Sequence, residues 1–300
     1  MNLGPEHYCR APSVSVIVPT HRRPELLRRA LDAAVQQTRA PAEIVVVDDA
    51  DDVRSRDVVR SVAAHCSFPI RYIGYRGGSG VSMSRNIGVR ESSGSAIALL
   101  DDDDYWDPQY LSNATQRLRD RQIDAVVTWR AGGLEGSLRD YRNPPERLTT
   151  RQVVASNPGV VGSNIVVRRA ALVAIGGFDE MLPVSNDIDF FVRFLASGHG
   201  YAVIDAPLVF VGNARGPRLI DADPRRIAGM TRYLAKHGAT MTRMQRLDYR
   251  RRILRVRLRM RRDLAAVRWR RILYTLGILA LSKPEGRKDV QRVLALVRSA

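Results

Sequence analysis

The chain has 300 residues, of which 45% are hydrophobic, with a formal net charge of +17 and two cysteines. This composition predicts a globular protein with one sizeable core, and the two cysteines, Cys9 and Cys66, provide neither a disulfide framework nor a metal-ligand spacing. No apolar run approaches the roughly 18 to 20 residues of a membrane-spanning helix, and the first residues lack the pattern of a signal peptide, so we predict a cytoplasmic protein.

Apolar runs and helical periodicities alternate along the first 130 residues. Runs rich in β-branched residues predict buried strands, and apolar residues at helical spacing lie between them. Such alternation implies parallel strands covered by helices on both faces. The predicted strands span residues 13–18, 42–47, 70–73, 96–100 and 125–129, and the predicted helices span 26–35, 53–64, 83–91 and 110–121.

The following eighty residues are less regular. Residues 131–160 are rich in Gly, Pro, Arg and Asn, which predicts a long loop with some helix near 150–155. A strand over 160–167, a helical turn over 169–175, a helix over 187–197 and a strand over 201–210 complete the predicted body.

The C-terminal part of the chain differs sharply in charge. Residues 215–300 contain 24 Lys or Arg against 6 Asp or Glu, whereas residues 1–214 contain 24 against 25. This shift predicts a catalytic body over residues 1–212 and an Arg-rich helical extension over residues 213–300. Residues 254–261 alternate as an amphipathic strand would, but we favour helix because no turn signals bound that segment.

Four consecutive aspartates, Asp101 to Asp104, follow the predicted strand over 96–100. Carboxylates in a row repel one another, so their position favours a bound divalent cation. Ligands of open parallel sheets bind beyond the carboxyl ends of the strands, where Asp48 and Asp49 also lie. Two plainer interpretations stay open. The four aspartates could cap the helix that begins near Pro108. Asp48 and Asp49 could end a strand and have no further role.

Five motifs resemble, in their order, the signatures of family 2 glycosyltransferases of the GT-A fold. They are Val14 to Thr20 followed by Arg23; Ile44-Val-Val-Val-Asp-Asp49; Ser84-Arg-Asn-Ile-Gly88; Leu99-Leu-Asp-Asp-Asp-Asp104 with Trp106; and Gly176-Gly-Phe-Asp-Glu180 followed by Asn186-Asp-Ile-Asp189 with Arg193. The resemblance covers residues 13–212 and does not reach the extension. It implies an α/β GT-A fold, in which helices flank a Rossmann-like, mainly parallel sheet, and an inverting transfer from a nucleotide-sugar donor.

The resemblance also implies roles for residues around the donor. The family's Asp-x-Asp motif maps onto the aspartate cluster, so Asp103 is expected to bind Mn²⁺ or Mg²⁺ directly, with Asp101 beside it near the ribose. This cation would neutralise charge on the departing diphosphate. Asp49 is expected to accept a hydrogen bond from the N3 hydrogen of uracil or thymine. Arg85 suits phosphate geometry, although it fits a helix surface equally well. The residues expected to line the rest of the nucleotide pocket are Pro19, Thr20, Arg23, Arg85 and Asp102.

Asp187 matches the aspartate that serves as the base in this family. Direct attack of an acceptor hydroxyl on the anomeric carbon, with Asp187 taking the proton, would invert the configuration. The chain departs from the family in having Asn186 where glutamate is usual. Asp189 is expected to pack or cap within the same helix.

Several other residues carry weaker expectations. His199 lies in a Ser-Gly-His-Gly turn, and we expect it to be solvated rather than bound to a metal. Trp106 and Trp129 suit a core or wall role as well as stacking on a sugar, and Ser163 and Asn164 suit polar groups near the sugar. No serine or cysteine has a histidine and an acid in motif context, so a covalent nucleophile is not predicted.

The hypothesis that the sequence favours is a metal-dependent glycosyltransferase that uses a UDP-sugar. Its acceptor is a hydroxyl or amine of a saccharide, a lipid-linked compound or a small molecule. The alternative is a catalytically degenerate nucleotide-binding protein whose basic tail binds a membrane surface or nucleic acid. A nucleotidyltransferase fits less well, because the loop from Pro19 to Arg23 lacks the glycine- and basic-rich sequence expected after the first strand.

The basic extension has two interpretations of its own. It could hold the enzyme at the periphery of an anionic membrane. It could instead be a solvated helical pair that covers the body or a homodimer surface, because arginine side chains bury their stems along apolar surface without a charged partner. We favour the second interpretation and expect no nucleic acid partner.

Overall fold

The first strand of the sheet, β1 (Val14–Thr20), is buried along all seven of its residues. The computed structural model of the protein describes residues 11–78, 80–132, 141–212 and 224–260. The later strands are β2 (Glu43–Asp48), β3 (Ile70–Gly74), β4 (Ala96–Leu99), β5 (Asp104–Trp106), β6 (Ala125–Gly132), β7 (Ile165–Arg168) and β8 (Tyr201–Val211). They form a single sheet in the order β3-β2-β1-β4-β7-β6-β8-β5.

The sheet is parallel over its first half and mixed over its second. Strands β3, β2, β1 and β4 are parallel to one another. Strand β7 runs antiparallel to both of its neighbours, β4 and β6. Strand β8 is parallel to β6, and β5 is antiparallel to β8 at the edge. The predicted mainly parallel sheet is confirmed, and the carboxyl ends of β1, β2 and β4 meet at one edge.

Helices cover both faces of the sheet. They are α1 (Pro24–Val35), α2 (Val53–Ala63), α3 (Val81–Glu91), α4 (Tyr110–Arg117), α5 (Thr150–Val153), α6 (Arg169–Ala174), α7 (Asn186–Ala196), α8 (Pro224–His237) and α9 (Arg243–Met260). In β1, Ile17 packs in the core on the side of α7, α8 and α9, whereas Val16 and Val18 pack in the core on the side of α1 and α4. Both faces are therefore apolar, which explains the continuous apolar runs in the sequence.

Two segments differ from the prediction in local structure. Strand β5 was not predicted, because three residues are too short to show a period. In the segment predicted as a strand over 160–167, only Ile165–Arg168 is strand, preceded by a 3-10 turn over Gly162–Asn164. That turn presents polar side chains toward the end of β4 instead of continuing the sheet.

The described part of the basic extension is helical and packs on the body. Tyr233 of α8 and Tyr249 of α9 belong to the same core as Phe190 of α7, and the Tyr233 hydroxyl donates to the Val154 carbonyl at 2.9 Å. Residues 213–223 and 261–300 lie outside the described residues. Over the described ranges, no helix combines the length and apolarity that crossing a bilayer requires. The domain boundary near residue 212 stays a prediction.

Glu43 joins four segments at the end of the sheet away from those carboxyl ends. Its carboxylate accepts hydrogen bonds from Ser15 of β1 at 2.8 Å, from Ser93 before β4 at 2.6 Å and 2.7 Å, and from Arg71 of β3 at 2.7 Å. Burial alone would raise the pKa of Glu43, but the hydrogen bonds from Ser93, Arg71 and Ser15 outweigh it and lower the pKa from 4.5 to about 2.

We predict that Glu43→Gln destabilises the protein by about 1 to 3 kcal/mol at pH 7. A lowered folded-state pKa means that ionised Glu43 stabilises the fold above pH 4.5 and loses this effect as the pH falls toward 2. The difference in unfolding free energy between wild type and variant should therefore shrink between pH 5 and pH 2, as measured by urea unfolding. The exposed Glu91→Gln variant is the control. A difference that stays constant over this range would contradict the role given to Glu43.

Candidate active site

The carboxyl ends of β1 and β4 bring Thr20 and the aspartate cluster together. The two strands are paired in parallel register, with Ile17 opposite Leu99, so the residues that follow them leave the sheet side by side. The Thr20 hydroxyl donates to Asp102 at 2.8 Å, and Arg23, the residue before α1, donates to the other oxygen of Asp102 at 3.2 Å. Pro19 lies in β1 just before Thr20.

The four aspartates, adjacent in sequence, occupy different environments. The side chains of Asp101 and Asp103 remain 30% and 29% exposed, whereas Asp102 and Asp104 are buried. Burial raises the pKa of Asp102 to about 6 against the opposing effects of Thr20 and Arg23. Two of the four carboxylates therefore serve the fold, and two face the site.

Asp104 is the aspartate that departs furthest from the group. It begins β5 and accepts a hydrogen bond from the backbone of Gly212 at 3.2 Å. Burial, reinforced by the charges of Asp101 and Asp103, raises the pKa of Asp104 to about 7. A raised pKa favours the neutral carboxyl, which would relieve repulsion within the cluster.

Arg85 links the aspartate cluster to Asp187. Its side chain is fully buried in α3; Nη2 donates to Asp101 at 2.8 Å and Nη1 donates to Asp187 at 2.7 Å. The guanidinium lies 5.2 Å from the centre of the Phe178 ring. At Gly162 an added Cβ would lie 2.1 Å from Nη2, so glycine leaves the space that the guanidinium occupies. The structure thus places Arg85 beneath the site, with both terminal nitrogens paired, and not on a helix surface.

Asp187 lies in the first turn of α7, with 24% of its side chain exposed. Burial raises its pKa, and the nearby charge of Arg85 opposes the rise. The preceding residue, Asn186, is buried and donates to the Ser82 hydroxyl at 3.3 Å. Asn186 therefore ties α7 to α3 at the position where the family resemblance leads us to expect glutamate.

Asp189 anchors α7 and takes no part in the exposed site. Its carboxylate is completely buried and is bonded to Arg193 at 2.9 Å, to His237 at 2.7 Å and to Lys236 at 2.7 Å. Burial would raise the pKa of Asp189, but these partners lower it to about 2. The helix that carries Asp187 is thus held both within itself and by α8.

Asp49 borders a cavity of about 460 Å³ beyond the ends of β2 and β3. Its two oxygens are bonded to the His21 imidazole and to the Gly80 backbone at 3.3 Å. His21 is not among the residues predicted from the sequence, although β1 and β2 pair Thr20 with Asp48, so the residues after them must be neighbours. The residues lining the cavity are His21, Arg22, Asp49, Ala50, Arg76, Gly77 and Gly78.

Asp48 has a structural role instead. Its carboxylate accepts hydrogen bonds from the backbones of Ala50 at 2.9 Å and Asp52 at 3.0 Å, and from the Tyr72 hydroxyl at 2.9 Å. Asp48 therefore shapes the turn after β2. The interpretation that these aspartates only end a strand fits Asp48, whereas Asp49 lines the cavity.

The remaining polar and aromatic candidates either form a wall of the site or make structural contacts elsewhere. The Ser163 hydroxyl accepts from the Asp101 backbone at 3.1 Å, and Trp106 donates to the Ser163 carbonyl at 2.8 Å while its ring stacks on Tyr110. His199 is paired with Asp124 at 2.9 Å. These contacts give Ser163 and Trp106 wall roles beside Asp101, and His199 a structural contact.

Asp101 and Asp103 are the carboxylates that suit a divalent cation. The described residues contain no group of three or more His, Cys, Asp or Glu side chains arranged to hold a metal ion. Mg²⁺ keeps several waters and typically binds one or two carboxylates together with substrate phosphates. Two partly exposed carboxylates at one edge fit that mode of binding, in which a diphosphate supplies further oxygens.

Comparison with known proteins places this chain in a family. The family model described as glycosyl transferase family 2 matches residues 15–176. The chain belongs to glycosyl transferase family 2. An uncharacterized glycosyltransferase of Haemophilus influenzae is 25% identical over 195 residues, which cover 61% of this chain and 62% of the relative. The validoxylamine A glucosyltransferase of Streptomyces hygroscopicus subsp. limoneus is 38% identical over 109 residues, which cover 34% of this chain and 23% of the relative.

Solved structures identify the fold of this family 2 member. The mannosyltransferase PcManGT from Pyrobaculum calidifontis, solved with GDP-Man and Mn²⁺, superposes with a TM-score of 0.63 at 19% identity, covering 96% of this chain and 81% of that one. S. aureus TarS 1-349, solved with UDP-GlcNAc, superposes with a TM-score of 0.59 at 17% identity, covering 92% and 77%. The predicted GT-A fold and the predicted membership of family 2 are confirmed. The chain spans less than two thirds of the Haemophilus relative.

Proposed function

We propose that the protein is an inverting, metal-dependent glycosyltransferase that transfers a sugar from a nucleotide-diphosphate donor to a hydroxyl or amine. The observation that carries this proposal is the Arg85 bridge, which holds Asp187 and Asp101 on one guanidinium at 2.7 Å and 2.8 Å. A group able to take a proton is thereby held next to the carboxylates that face the donor. A direct displacement requires the acceptor and the donor sugar to be held in a fixed geometry relative to each other.

The donor pocket of the proposal is the cavity beside Asp49. Its volume of about 460 Å³ is in the range of small-molecule sites, and it opens beyond the ends of parallel strands. Each Asp49 oxygen retains a second lone pair after its present hydrogen bond, so the carboxylate can accept from the N3 hydrogen of uracil. We therefore favour a UDP-sugar, as in the TarS complex with UDP-GlcNAc.

Asp103 and Asp101 would hold Mn²⁺ or Mg²⁺ in this proposal. The bound cation would act as a Lewis acid that offsets the negative charge growing on the departing diphosphate. Arg23 lies 3.2 Å from Asp102 and 3.9 Å from Asp103, and so fixes the loop that carries both. PcManGT was solved with Mn²⁺ and a nucleotide sugar, which supports this assignment by analogy of fold.

Asp187 is the general base of the proposal. Arg85 binds its Oδ1 and so orients the carboxylate, while Oδ2 has no hydrogen-bond partner among the described residues. A pKa raised by burial makes a carboxylate a stronger base. Asp187 would remove the acceptor proton as the acceptor oxygen or nitrogen attacks from the face opposite the leaving diphosphate, which inverts the anomeric configuration.

The acceptor and the cellular location remain parts of the proposal. The acceptor would be a saccharide, a lipid-linked compound or a small molecule. Along α9, Arg243, Arg250 and Arg257 are exposed at a spacing of seven residues and share one helix face. This stripe supports peripheral contact of a cytoplasmic protein with an anionic membrane. Failure of the protein to sediment with anionic vesicles at low salt would contradict the proposed membrane contact. A homodimer stays a prediction.

We expect Asp103→Asn and Asp187→Asn to separate donor binding from chemistry. UDP with Mn²⁺ should stabilise the wild type in thermal-shift measurements, and Asp103→Asn should lose this stabilisation. Asp187→Asn should keep it within about threefold in UDP affinity while donor turnover falls by about 100- to 10,000-fold. The exposed Asp205→Asn variant is the control.

Two outcomes would contradict the assignment. Undiminished turnover in Asp187→Asn would rule out Asp187 as the base. UDP binding that depends on neither Mn²⁺ nor Asp103 would rule out the proposed metal site. UDP binding with no turnover of any nucleotide sugar by the wild type would favour the degenerate nucleotide-binding alternative.

A further inference from the structure

The loop between α6 and α7 contains one buried aromatic side chain, Phe178, that contacts both helices joined by the Arg85 bridge. The Phe178 ring centre lies 5.2 Å from the guanidinium carbon of Arg85, which belongs to α3. It also lies 5.2 Å from the ring centre of Phe190, which belongs to α7, with the two rings stacked at 23°. Guanidinium groups and aromatic rings both pack favourably on an aromatic face. Phe178 therefore helps to set the position of α3 relative to α7.

Asn86 fixes the backbone of Phe178. The Phe178 N–H donates to Asn86 Oδ1 at 2.9 Å, and Asn86 Nδ2 donates to the Phe178 carbonyl at 2.8 Å. The same Nδ2 donates to the Glu180 carboxylate at 2.8 Å. An amide side chain can make this double contact because it carries a donor and an acceptor together. Asn86 follows Arg85 directly in α3, so adjacent residues of one helix hold the bridge and the loop that packs on it.

The backbone of the loop is shaped for this contact and is held from a second side. Gly177 has a φ of +67°, and an added Cβ would lie 2.7 Å from Asn86 Oδ1. Glycine therefore allows both the left-handed conformation and the close approach of the amide. From α7, Arg193 donates to the carbonyls of Ile175 at 2.5 Å and Gly177 at 2.7 Å. The loop is thus fastened to α3 and to α7.

The geometry of the Arg85 bridge depends on the spacing of these two helices. Arg85 lies in α3 and reaches Asp187 in α7 at 2.7 Å, so a change in spacing would alter this hydrogen bond. Asn186 and Ser82 also join the helices, at the longer distance of 3.3 Å. A displacement of about 1 Å from productive geometry can cost roughly 100-fold in rate. A residue that sets this spacing can therefore affect the chemistry without touching the substrate.

We propose that Asn86 is a positioning residue for the general base. By fixing Phe178 it keeps the Arg85 guanidinium, and through it Asp187, in the place from which the acceptor proton is removed. This inference rests on the proposed function, because it assigns Asn86 to the reaction in which Asp187 is the base. Asn86 acts through two other side chains, so its loss should lower the rate of the chemical step and leave donor binding intact.

The test compares donor turnover with donor binding in Asn86→Asp. This change keeps the shape and the acceptor, but it replaces the donor with an oxygen that faces the Phe178 carbonyl and the Glu180 carboxylate. With Mn²⁺ and whichever of UDP-glucose, UDP-galactose and UDP-GlcNAc the wild type turns over fastest, kcat should fall about tenfold or more. UDP affinity by calorimetry should stay within about threefold of wild type, with the same number of UDP sites per chain.

A rescue variant and a second background test the route of the effect. Glu180→Gln alone keeps an acceptor for Asn86 and should retain kcat within about threefold. Added to Asn86→Asp, it supplies a donor to the new carboxylate and should recover at least about threefold of the lost kcat. In an Asp187→Asn background, Asn86→Asp should lower kcat by less than about threefold more, because residues that act as a unit are not additive.

Two further variants cover folding and specificity. If Asn86→Asp does not fold, Asn86→Ala, which removes the same hydrogen bonds without adding charge, should show the same loss of kcat at unchanged UDP affinity. The matched control is Asn113→Ala in α4, which removes a hydrogen bond from an asparagine side chain to the Gln109 carbonyl at 2.9 Å. This control should turn over the donor as the wild type does.

Each contrary result has a distinct meaning. Wild-type kcat in folded Asn86 variants would overturn the positioning role. A loss of kcat that equals the loss of UDP sites, or that multiplies fully with Asp187→Asn, would make Asn86 a structural residue only. A wild type that binds UDP but turns over no UDP-sugar, or an Asp187→Asn variant with undiminished turnover, would instead overturn the proposed function and the base that Asn86 is proposed to position.

Discussion

One buried guanidinium holds the candidate site together. Arg85 pairs with Asp101, which follows β4, and with Asp187, which lies in the first turn of α7, so a single side chain of α3 connects three separate parts of the chain. The positive charge between the two carboxylates offsets their mutual repulsion, which partial burial strengthens. Breaking such a pair by removing one partner typically costs about 3 to 5 kcal/mol.

Much of the surrounding structure serves this interaction. Gly162 leaves room for the guanidinium, Phe178 lies against it, and Ser163 holds the backbone of Asp101. From the other side, Asp189 fastens α7 to α8 through His237 and Lys236. The described part of the basic extension therefore supports the helix that carries Asp187, which is a structural use for two of its polar residues.

The sequence predicts the sheet well and the side-chain partners poorly. Buried parallel strands leave continuous apolar runs, and the rule that ligands bind at their carboxyl ends places Asp49 and Asp101 at one edge. The three-residue strand β5 leaves no periodic signal. The pairing of Arg85 with Asp187 joins residues 102 positions apart. The register shifts of β6 around Trp129 depend on its pairing with β8. Such contacts are set by tertiary structure, so no local pattern reveals them.

The central claim is that Arg85 couples Asp187 energetically to Asp101 and the aspartate cluster. A double-mutant cycle tests this claim most directly. The unfolding free energies of wild type, Arg85→Met, Asp187→Asn and the double variant would be measured in urea at pH 7. We expect the double variant to be less destabilised than the sum of the single variants by about 1 to 3 kcal/mol, because Asp187→Asn removes a carboxylate that Arg85→Met leaves unpaired. Additivity within about 0.5 kcal/mol would contradict the coupling.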